Sequence, residues 1–214
     1  MGKIYKGEVN GRIIDARFAI SGKIVSVGKR TGDIVKKGGL IASLDRKILQ
    51  TELDRQLADY EKIRADFEIF AQKYPDPREA IDKYLKTEKQ AALNAGVKDV
   101  ELAKAKLDQA DLFSPVDGII LDDSGITPGL FVTPAGGSVR MVDCSSYFFE
   151  IELEQKDIPY FMEKNPTSVE ITGLKDKITA ESKPVFSDGK KFLVRIPLPD
   201  SKEILLGLNG KANF

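Results

Sequence analysis

Residues 22–45 read GKIVSVGKRTGDIVKKGGLIASLD, and residues 118–143 read GIILDDSGITPGLFVTPAGGSVRMVD. The two stretches match. Each opens with Gly before an aliphatic run, reaches a second Gly-containing segment (GDIV or GLFV) ten or eleven residues later, and ends after a Gly-Gly pair on an aliphatic residue and Asp. Short aliphatic runs between Gly turns predict strands. Because the pattern occurs twice, we expect two half-domains that pair into one β-sandwich.

The segment between the two stretches, residues 46–111, has the pattern of a helical hairpin. It contains one Gly, and its two Pro residues fall together at positions 75 and 77. Since Pro breaks a helix, the two arms are predicted to meet in a tip near residues 74–78. The first arm carries residues at alternating spacings of four and three, which predicts a coiled-coil seam. These residues are Leu49, Leu53, Gln56, Tyr60, Ile63, Phe67, Phe70 and Tyr74.

The second arm has a less regular apolar pattern. Its apolar positions, which we expect to face the first arm, include Ile81, Leu85, Ala92, Leu93, Val97, Val100 and Leu107. At a rise of 1.5 Å per residue, each arm would reach roughly 40–50 Å. A rod of that length must project from any small body that carries it.

Residues 144–214 return to short strands. Residues 147–154 read YFFEIELE and end in an alternation of acidic and aliphatic residues, which is typical of a strand with one wet face. We predict a small antiparallel β-barrel in this region, joined by one or more strands from residues 1–16. The predicted fold class is mostly β, with sandwich halves at 17–45 and 112–143 and a coiled-coil hairpin at 46–111.

The composition excludes several classes of function. The 214 residues include no His and one Cys, so the usual general base near neutral pH and the commonest metal ligand are missing. The 33 basic residues equal the 33 acidic ones, which leaves no basic footprint for nucleic acid. We therefore predict no enzyme activity, no catalytic residues, no cofactor, no metal site and no nucleic-acid partner.

Two local patterns have structural explanations. Residues 28–32 read GKRTG, but a phosphate-binding loop requires Lys to be followed directly by Ser or Thr, and Arg30 breaks that motif. A hairpin turn is the better interpretation. Cys144 cannot form a disulfide within the chain, and we interpret it as a small buried apolar residue.

Both repeated stretches resemble one known family. Residues 20–45 look like the first lipoyl-type half-motif of the periplasmic adaptor proteins, which are also called membrane fusion proteins and include hemolysin D-like subunits. Residues 113–143 resemble the second half-motif. In this family a coiled-coil hairpin interrupts a lipoyl/biotinyl-like domain and a small β-barrel follows, so the resemblance covers nearly the whole chain in the right order.

The resemblance implies a function. It implies a non-enzymatic adaptor subunit that links an inner-membrane transporter to an outer-membrane duct for efflux or secretion, and that assembles with itself into a homo-oligomeric ring. It also implies a location in the periplasm, with anchorage to the inner membrane by a segment before Met1.

The hairpin tip departs from the family pattern. Many adaptors that dock on an outer-membrane duct carry an Arg, a Leu and a Ser around the tip. Aligned through Asp82, this chain has Asp66, Phe70 and Pro77 at those positions. An alternative hypothesis is therefore an envelope scaffold or secretion-apparatus adaptor whose hairpin binds a partner other than an efflux duct.

Two surfaces are candidate contact sites. The end of a long rod is best placed to reach another molecule, and two Pro residues lower the cost of ordering it on binding. The predicted partner-binding residues at the tip are Tyr74, Pro75, Asp76, Pro77 and Arg78. In the ring that the resemblance implies, the turn residues predicted to contact a neighbouring copy are Lys29, Arg30 and Thr31.

Overall fold

The structure is a computed structural model that describes residues 3–76, 79–162, 166–174, 176–201 and 203–214. In these ranges the chain forms the helices α1 (Lys47–Lys73) and α2 (Ala80–Asp108). The strands in the same ranges are β1 (Ile4–Asn10), β2 (Ile13–Ala16), β3 (Gly22–Val27), β4 (Ile34–Val35), β5 (Leu40–Leu44), β6 (Asp111–Phe113), β7 (Gly118–Asp122), β8 (Phe131–Val132), β9 (Val139–Asp143), β10 (Phe148–Leu153), β11 (Pro166–Ile171), β12 (Ile178–Glu181), β13 (Phe186–Ser187), β14 (Phe192–Pro197) and β15 (Asn209–Asn213). The predicted fold class, mostly β with a helical hairpin, is confirmed.

Two four-stranded sheets form the split sandwich, with strand orders β2-β9-β7-β4 and β6-β5-β3-β8. Each sheet takes strands from both sides of the hairpin. In one sheet Gly22 of β3 pairs with Val132 of β8, and in the other Gly118 of β7 pairs with Val35 of β4. The short strand of each half, β4 or β8, therefore pairs with the first strand of the other half, β7 or β3. Neither half completes its sheet alone.

The repeated glycines occupy equivalent positions in the two halves. Gly32 and Gly129 have φ angles of +91° and +94°, a conformation that Gly adopts without steric cost. The amide of Gly32 donates to the carbonyl of Ile120, and the amide of Gly129 donates to the carbonyl of Ile24, both at 2.8 Å. The sequence repeat is thus also a repeat of backbone geometry.

The core of the sandwich is shared between the halves. Its large fully buried side chains come from both stretches: Phe18, Ile24, Ile41, Leu44, Ile120, Ile126 and Met141. Burying apolar surface of this kind is the main favourable term in folding. The sandwich is therefore held together by contacts between segments that the whole hairpin separates in sequence.

The hairpin consists of α1 and α2 packed side by side. Helix α1 ends at Lys73, and Tyr74 has left the helical region with φ −128° and ψ 70°, as expected for the residue before Pro75. The predicted seam residues of α1, from Leu49 to Tyr74, are all half-buried. On α2 the closest approach is at Gly96, where an added Cβ would lie 3.3 Å from Ile63 Cδ1.

Near the tip, the seam of α2 differs from the sequence prediction. Ile81 and Leu85, which the pattern places against α1, are 69% and 39% exposed. Asp82 and Lys89 are half-buried in their place. The reason is the rotation of α2 about its axis. Near its base, α2 turns the face with Gly96 and Ala103 toward α1. Toward the tip, the same face carries Asp82 and Lys89.

A seven-stranded antiparallel sheet with the order β12-β11-β15-β1-β10-β14-β13 forms the barrel-like unit. It curls so that β12 contacts β14. Beneath it Phe149 is fully buried, and its ring lies against Gly7 and Gly210, which pair with each other across β1 and β15. A 3₁₀ turn at Gln155–Phe161 packs Phe161 against the rings of Tyr5 and Phe214, which also contact each other.

The N-terminal stretch, which the sequence assigns to the barrel, divides between two units. Strand β1 lies in the centre of the seven-stranded sheet, between β15 and β10. Strand β2 pairs with β9 at the edge of the sandwich instead. The chain therefore crosses between the two units at residues 11–12 and returns after β9.

Among the described helices, none is both long enough and apolar enough to cross a membrane.

Candidate functional site at the hairpin tip

The tip is built on the last turn of α1. The ring of Tyr74 lies 5.0 Å from that of Phe70, and Lys73 Nζ lies 5.5 Å from the centre of the Tyr74 ring. The amide of Tyr74 still donates to the carbonyl of Phe70 at 2.9 Å, so its backbone is held by the helix end. Among the predicted tip residues, Tyr74 is therefore half-buried and fixed by its neighbours.

The other predicted tip residues lie at the turn itself. Pro75 and Asp76 are exposed. Pro77 and Arg78 lie outside the described residues. The assignment of all five to partner binding stays a prediction, and the structure places Tyr74, Pro75 and Asp76 together at the far end of the hairpin.

An apolar surface that the sequence pattern did not identify begins in the first turn of α2. It consists of Ile81, Tyr84 and Leu85, which we call the distal patch, and these side chains are 69%, 76% and 39% exposed. Residues three and four apart are neighbours on a helix surface, so the three side chains adjoin. The structure explains the patch through Asp82, which is half-buried on the face toward α1, so that its apolar neighbours turn outward.

The distal patch lies far from the sandwich. Helix α2 has 29 residues, and the patch occupies its first two turns. At 1.5 Å per residue the patch stands about 35 Å from the base of the hairpin. A surface in this position is available to a molecule that the sandwich and the barrel do not themselves reach.

The second predicted surface, at Lys29, Arg30 and Thr31, connects the two halves of the sandwich. The guanidinium of Arg30 donates to the carbonyl of Ile126 and lies 3.5 Å from the Asp123 carboxylate. Thr31 Oγ1 accepts a 3.1 Å hydrogen bond from the amide of Asp123. These contacts give Arg30 and Thr31 a role inside the chain, and their contact with a second copy stays a prediction.

Lys29 is less constrained than its two neighbours. Its ammonium donates to the carbonyl of Ile34 at 3.2 Å, and the residue is half-buried at the turn. The ammonium of Lys29 therefore keeps donors for another molecule.

Two titratable groups at and just after the end of β9, Asp143 and Cys144, have pKa values shifted by their surroundings. Burial raises the pKa of the Asp143 carboxyl, but hydrogen bonds from Ser145 and Arg12 outweigh burial and leave the pKa below its usual value. Burial raises the pKa of the Cys144 thiol. Within the described parts of the chain, no group of three or more Cys, Asp and Glu side chains is arranged to hold a metal ion.

Comparisons with known proteins find relatives by structure alone. No family model matches the sequence, and no curated protein matches it significantly. A MacA–MexA chimera carrying the α-hairpin domain of Pseudomonas aeruginosa MexA is 20% identical, with a TM-score of 0.83 over 99% of this chain and 78% of that one. The membrane fusion protein Spr0693 of Streptococcus pneumoniae is 14% identical, with a TM-score of 0.75 over 98% and 97%.

A third solved structure, the periplasmic adaptor protein EmrA, is 15% identical, with a TM-score of 0.55 over 98% of each chain. At identities this low, the superpositions show a shared fold and nothing finer. The chain therefore has the fold of the membrane fusion proteins, and the resemblance predicted from the two half-motifs is confirmed at that level.

Proposed function

We propose that this chain is a non-enzymatic adaptor of the cell envelope, which links an inner-membrane transporter to an outer-membrane duct or another envelope partner for efflux or secretion. The observation that carries the proposal is the distal patch, an apolar surface on the far part of a two-helix rod. Adjoining apolar side chains exposed on a helix are typical of a surface that another protein covers.

The way in which the hairpin is inserted also supports this role. Both of its ends enter the sandwich core: Leu44 precedes α1 and is fully buried, and Ala110 follows α2 and is fully buried. The amide of Leu44 donates to the carbonyl of Ala110 at 2.8 Å. The rod is therefore fixed to the sandwich at both strands of its base, as a spacer between two partners requires.

Assembly and location complete the proposal. We place the chain in the periplasm, held at the inner membrane by an anchoring segment, and in a homo-oligomeric ring in which Lys29, Arg30 and Thr31 contact the next copy. The names of the solved relatives support this placement, because they describe membrane fusion proteins and a periplasmic adaptor.

The experiment that tests the proposal is crosslinking of the membrane-anchored protein in native envelopes, followed by purification and mass spectrometry. The test variant is Ile81→Glu with Tyr84→Glu, which introduces two charges into the distal patch without touching a buried residue. We expect the transporter to be recovered with the unmodified protein and with the variant. The amount of hairpin partner recovered should be about tenfold lower with the variant, because burying an unpaired charge is strongly unfavourable.

The matched control is Leu102→Glu, because Leu102 is 56% exposed on the same helix but lies near the base. A second variant, deletion of residues 74–79, tests the predicted tip residues directly. Loss of an outer-membrane duct with the distal variant, but not with Leu102→Glu, would support the tripartite adaptor. Recovery of the transporter with a different envelope partner would favour the scaffold alternative, and recovery of no transporter would refute the transport role.

A further inference from the structure

We propose that a pocket on the barrel, beside the chain crossings to the sandwich, binds a small ligand that carries an oxyanion, of the phosphate monoester or carboxylate type, on an apolar body. The pocket has a volume of about 350 Å³ and is lined by three cationic side chains, which are Arg12, Lys183 and Arg195. We call it the hinge pocket. This proposal is independent of the adaptor role and concerns a surface far from the hairpin.

The hinge pocket lies where the chain crosses between the barrel and the sandwich. Arg12 lies in the crossing from β1 of the barrel to β2 of the sandwich, and Ser146 and Tyr147 lie in the return crossing from β9 to β10. The amide of Arg12 donates to Ser146 Oγ at 2.8 Å, and the amide of Asp143 donates to the carbonyl of Arg12 at 3.0 Å. One wall of the pocket is therefore made of both chain crossings, tied together.

The charge of the pocket selects an anion. Among the described residues that line it, three are cationic and none is acidic. Arg12 is paired with Asp143, whose side chain is 2% exposed and lies behind the wall. Arg195 Nε donates to Glu150 at 2.7 Å. A guanidinium has five N–H donors, so each of these arginines keeps donors for a ligand.

Lys183 supplies the charge that the protein itself does not neutralise. Its amide donates to the carbonyl of Arg195 at 2.8 Å, which holds the two residues side by side. Its side chain is exposed, and its ammonium forms no ion pair with any residue in the described ranges. The pocket therefore carries a net positive charge once its two internal ion pairs are counted.

Aromatic contacts fix the geometry of Arg195 before any ligand arrives. Its guanidinium carbon lies 4.4 Å from the ring centre of Phe148 and 4.6 Å from that of Phe186, so the planar group stands between two rings. A guanidinium held in this way presents its fork to an oxyanion with little further loss of freedom. Such preorganisation lowers the conformational entropy that the side chain would lose on binding a ligand.

The remaining walls define the body of the ligand. Phe148 and Pro197 contribute apolar surface to the pocket, next to the cationic groups. Small-molecule sites usually combine apolar walls with convergent polar groups, and here the polar groups contribute the larger part of the lining. Phosphate and carboxylate groups match the Arg forks, and an aromatic or aliphatic body matches the apolar walls.

The test measures binding of phenyl phosphate to the full chain by isothermal titration calorimetry, with phenol as the uncharged comparison. We expect phenyl phosphate to bind and phenol not to bind. The variant Lys183→Gln removes an exposed, unpaired charge and should weaken binding about tenfold without affecting the fold. Lys104→Gln on α2 changes the net charge equally, far from the pocket, and should leave the affinity unchanged.

A second arm distinguishes the source of the oxyanion. Vesicles of phosphatidylcholine with added phosphatidic acid are tested for retention of the protein and for competition with phenyl phosphate. Retention that phenyl phosphate reverses would assign a lipid headgroup, whereas phenyl phosphate binding without retention would assign a soluble ligand. Failure of phenyl phosphate to bind, or equal loss with Lys183→Gln and Lys104→Gln, would overturn the proposal. Neither result depends on a transporter or a duct.

Discussion

The barrel sheet depends on two residues that have no side chain. Gly7 and Gly210 pair across β1 and β15, and the fully buried ring of Phe149 occupies the space beneath them. A Cβ on Gly7 would lie 2.8 Å from the Phe149 ring and 2.2 Å from the carbonyl oxygen of Glu150. Because the second contact is with backbone, a rotamer change cannot relieve it.

We therefore predict that Gly7→Ala lowers the free energy of unfolding by about 3 kcal/mol, the upper part of the range for overpacking a core. Urea titration followed by circular dichroism measures the effect. Gly28→Ala is the matched control, because its Cβ would meet only carbonyl oxygens at 3.7 Å. Equal stability of the two variants would show that β1 can shift away from β10.

A second prediction at this scale concerns the ion pair of Lys3 with Asp157. Lys3 Nζ lies 2.7 Å from the Asp157 carboxylate, whose side chain is 8% exposed. The hydrogen bond from Lys3, helped by its charge, holds the pKa of Asp157 below its usual value. A lowered pKa in the folded state stabilises the fold above the unfolded pKa of about 3.9, and this contribution is lost as the pH falls through the folded value.

Lys3→Gln should accordingly lower the urea midpoint at pH 7, and its difference from the unmodified protein should narrow as the pH falls below about 4. The measurement is a series of urea titrations from neutral to acidic pH. Lys62→Gln, an exposed lysine on α1, should show no difference at any pH. If the difference in urea midpoint between Lys3→Gln and the unmodified protein stayed the same in acid, Lys3 would act through packing and not through the Asp157 carboxylate.

At the scale of elements, the two helices of the hairpin follow their sequences to different extents. The seam of α1 could be predicted residue by residue, because its spacing of four and three continues without interruption to Tyr74. The seam of α2 could not, since small residues allow more than one face to approach α1. The structure selects the face with Gly96, which brings Ile63 and Tyr60 close to the α2 backbone.

Gly96 allows a test in which helix propensity and packing can be separated. An added Cβ would lie 3.3 Å from Ile63 Cδ1, the flexible end of a side chain, so a small adjustment accommodates a methyl group. Gly in a helix interior is less favourable than Ala by about 1 kcal/mol. We predict that Gly96→Ala raises the free energy of local unfolding of the hairpin and that Gly96→Leu lowers it.

Hydrogen exchange of α1 and α2 amides measures both variants in the full chain. A loss of protection with Gly96→Ala would show that the contact with Ile63 is rigid and outweighs propensity. Equal protection in the two variants would show that the helices do not approach closely at this position.

At the scale of the whole molecule, the hairpin is an insertion into a sandwich that its two flanking segments complete. The pairings of β3 with β8 and of β4 with β7 join the halves directly. Arg30 and Thr31 add a further link to the turn at Asp123. The stability of the sandwich should therefore depend little on the length of the hairpin.

We predict that excision of residues 57–99, with residues 56 and 100 joined by a short Gly-Ser turn, leaves the sandwich and barrel folded. These two positions lie at matched levels of α1 and α2, judged from the contact of Gly96 with Tyr60 and Ile63. Amide NMR spectra of the shortened chain should keep the resonances of the strands and lose only those of the excised helical residues. Loss of the β3 and β7 resonances would show that the hairpin is needed to bring the halves together.

The sequence by itself determined the order of the parts and their local form. The Gly turns, the two Pro residues at the tip and the α1 seam are local features, and each is decided by the conformations that a few neighbouring residues allow. The repeat of residues 22–45 in residues 118–143 also predicted that two halves would pair. The family resemblance followed from these features, and the fold confirms it.

The tertiary structure decided what depends on contacts between distant segments. In it, β2 pairs with the sandwich, Ile81 and Tyr84 face outward, and Arg30 joins the two halves. It also brought Arg12, Lys183 and Arg195 together, although more than 170 positions separate the first from the other two. No local pattern encodes such neighbours, because they arise only when sheets curl and helices choose a common face.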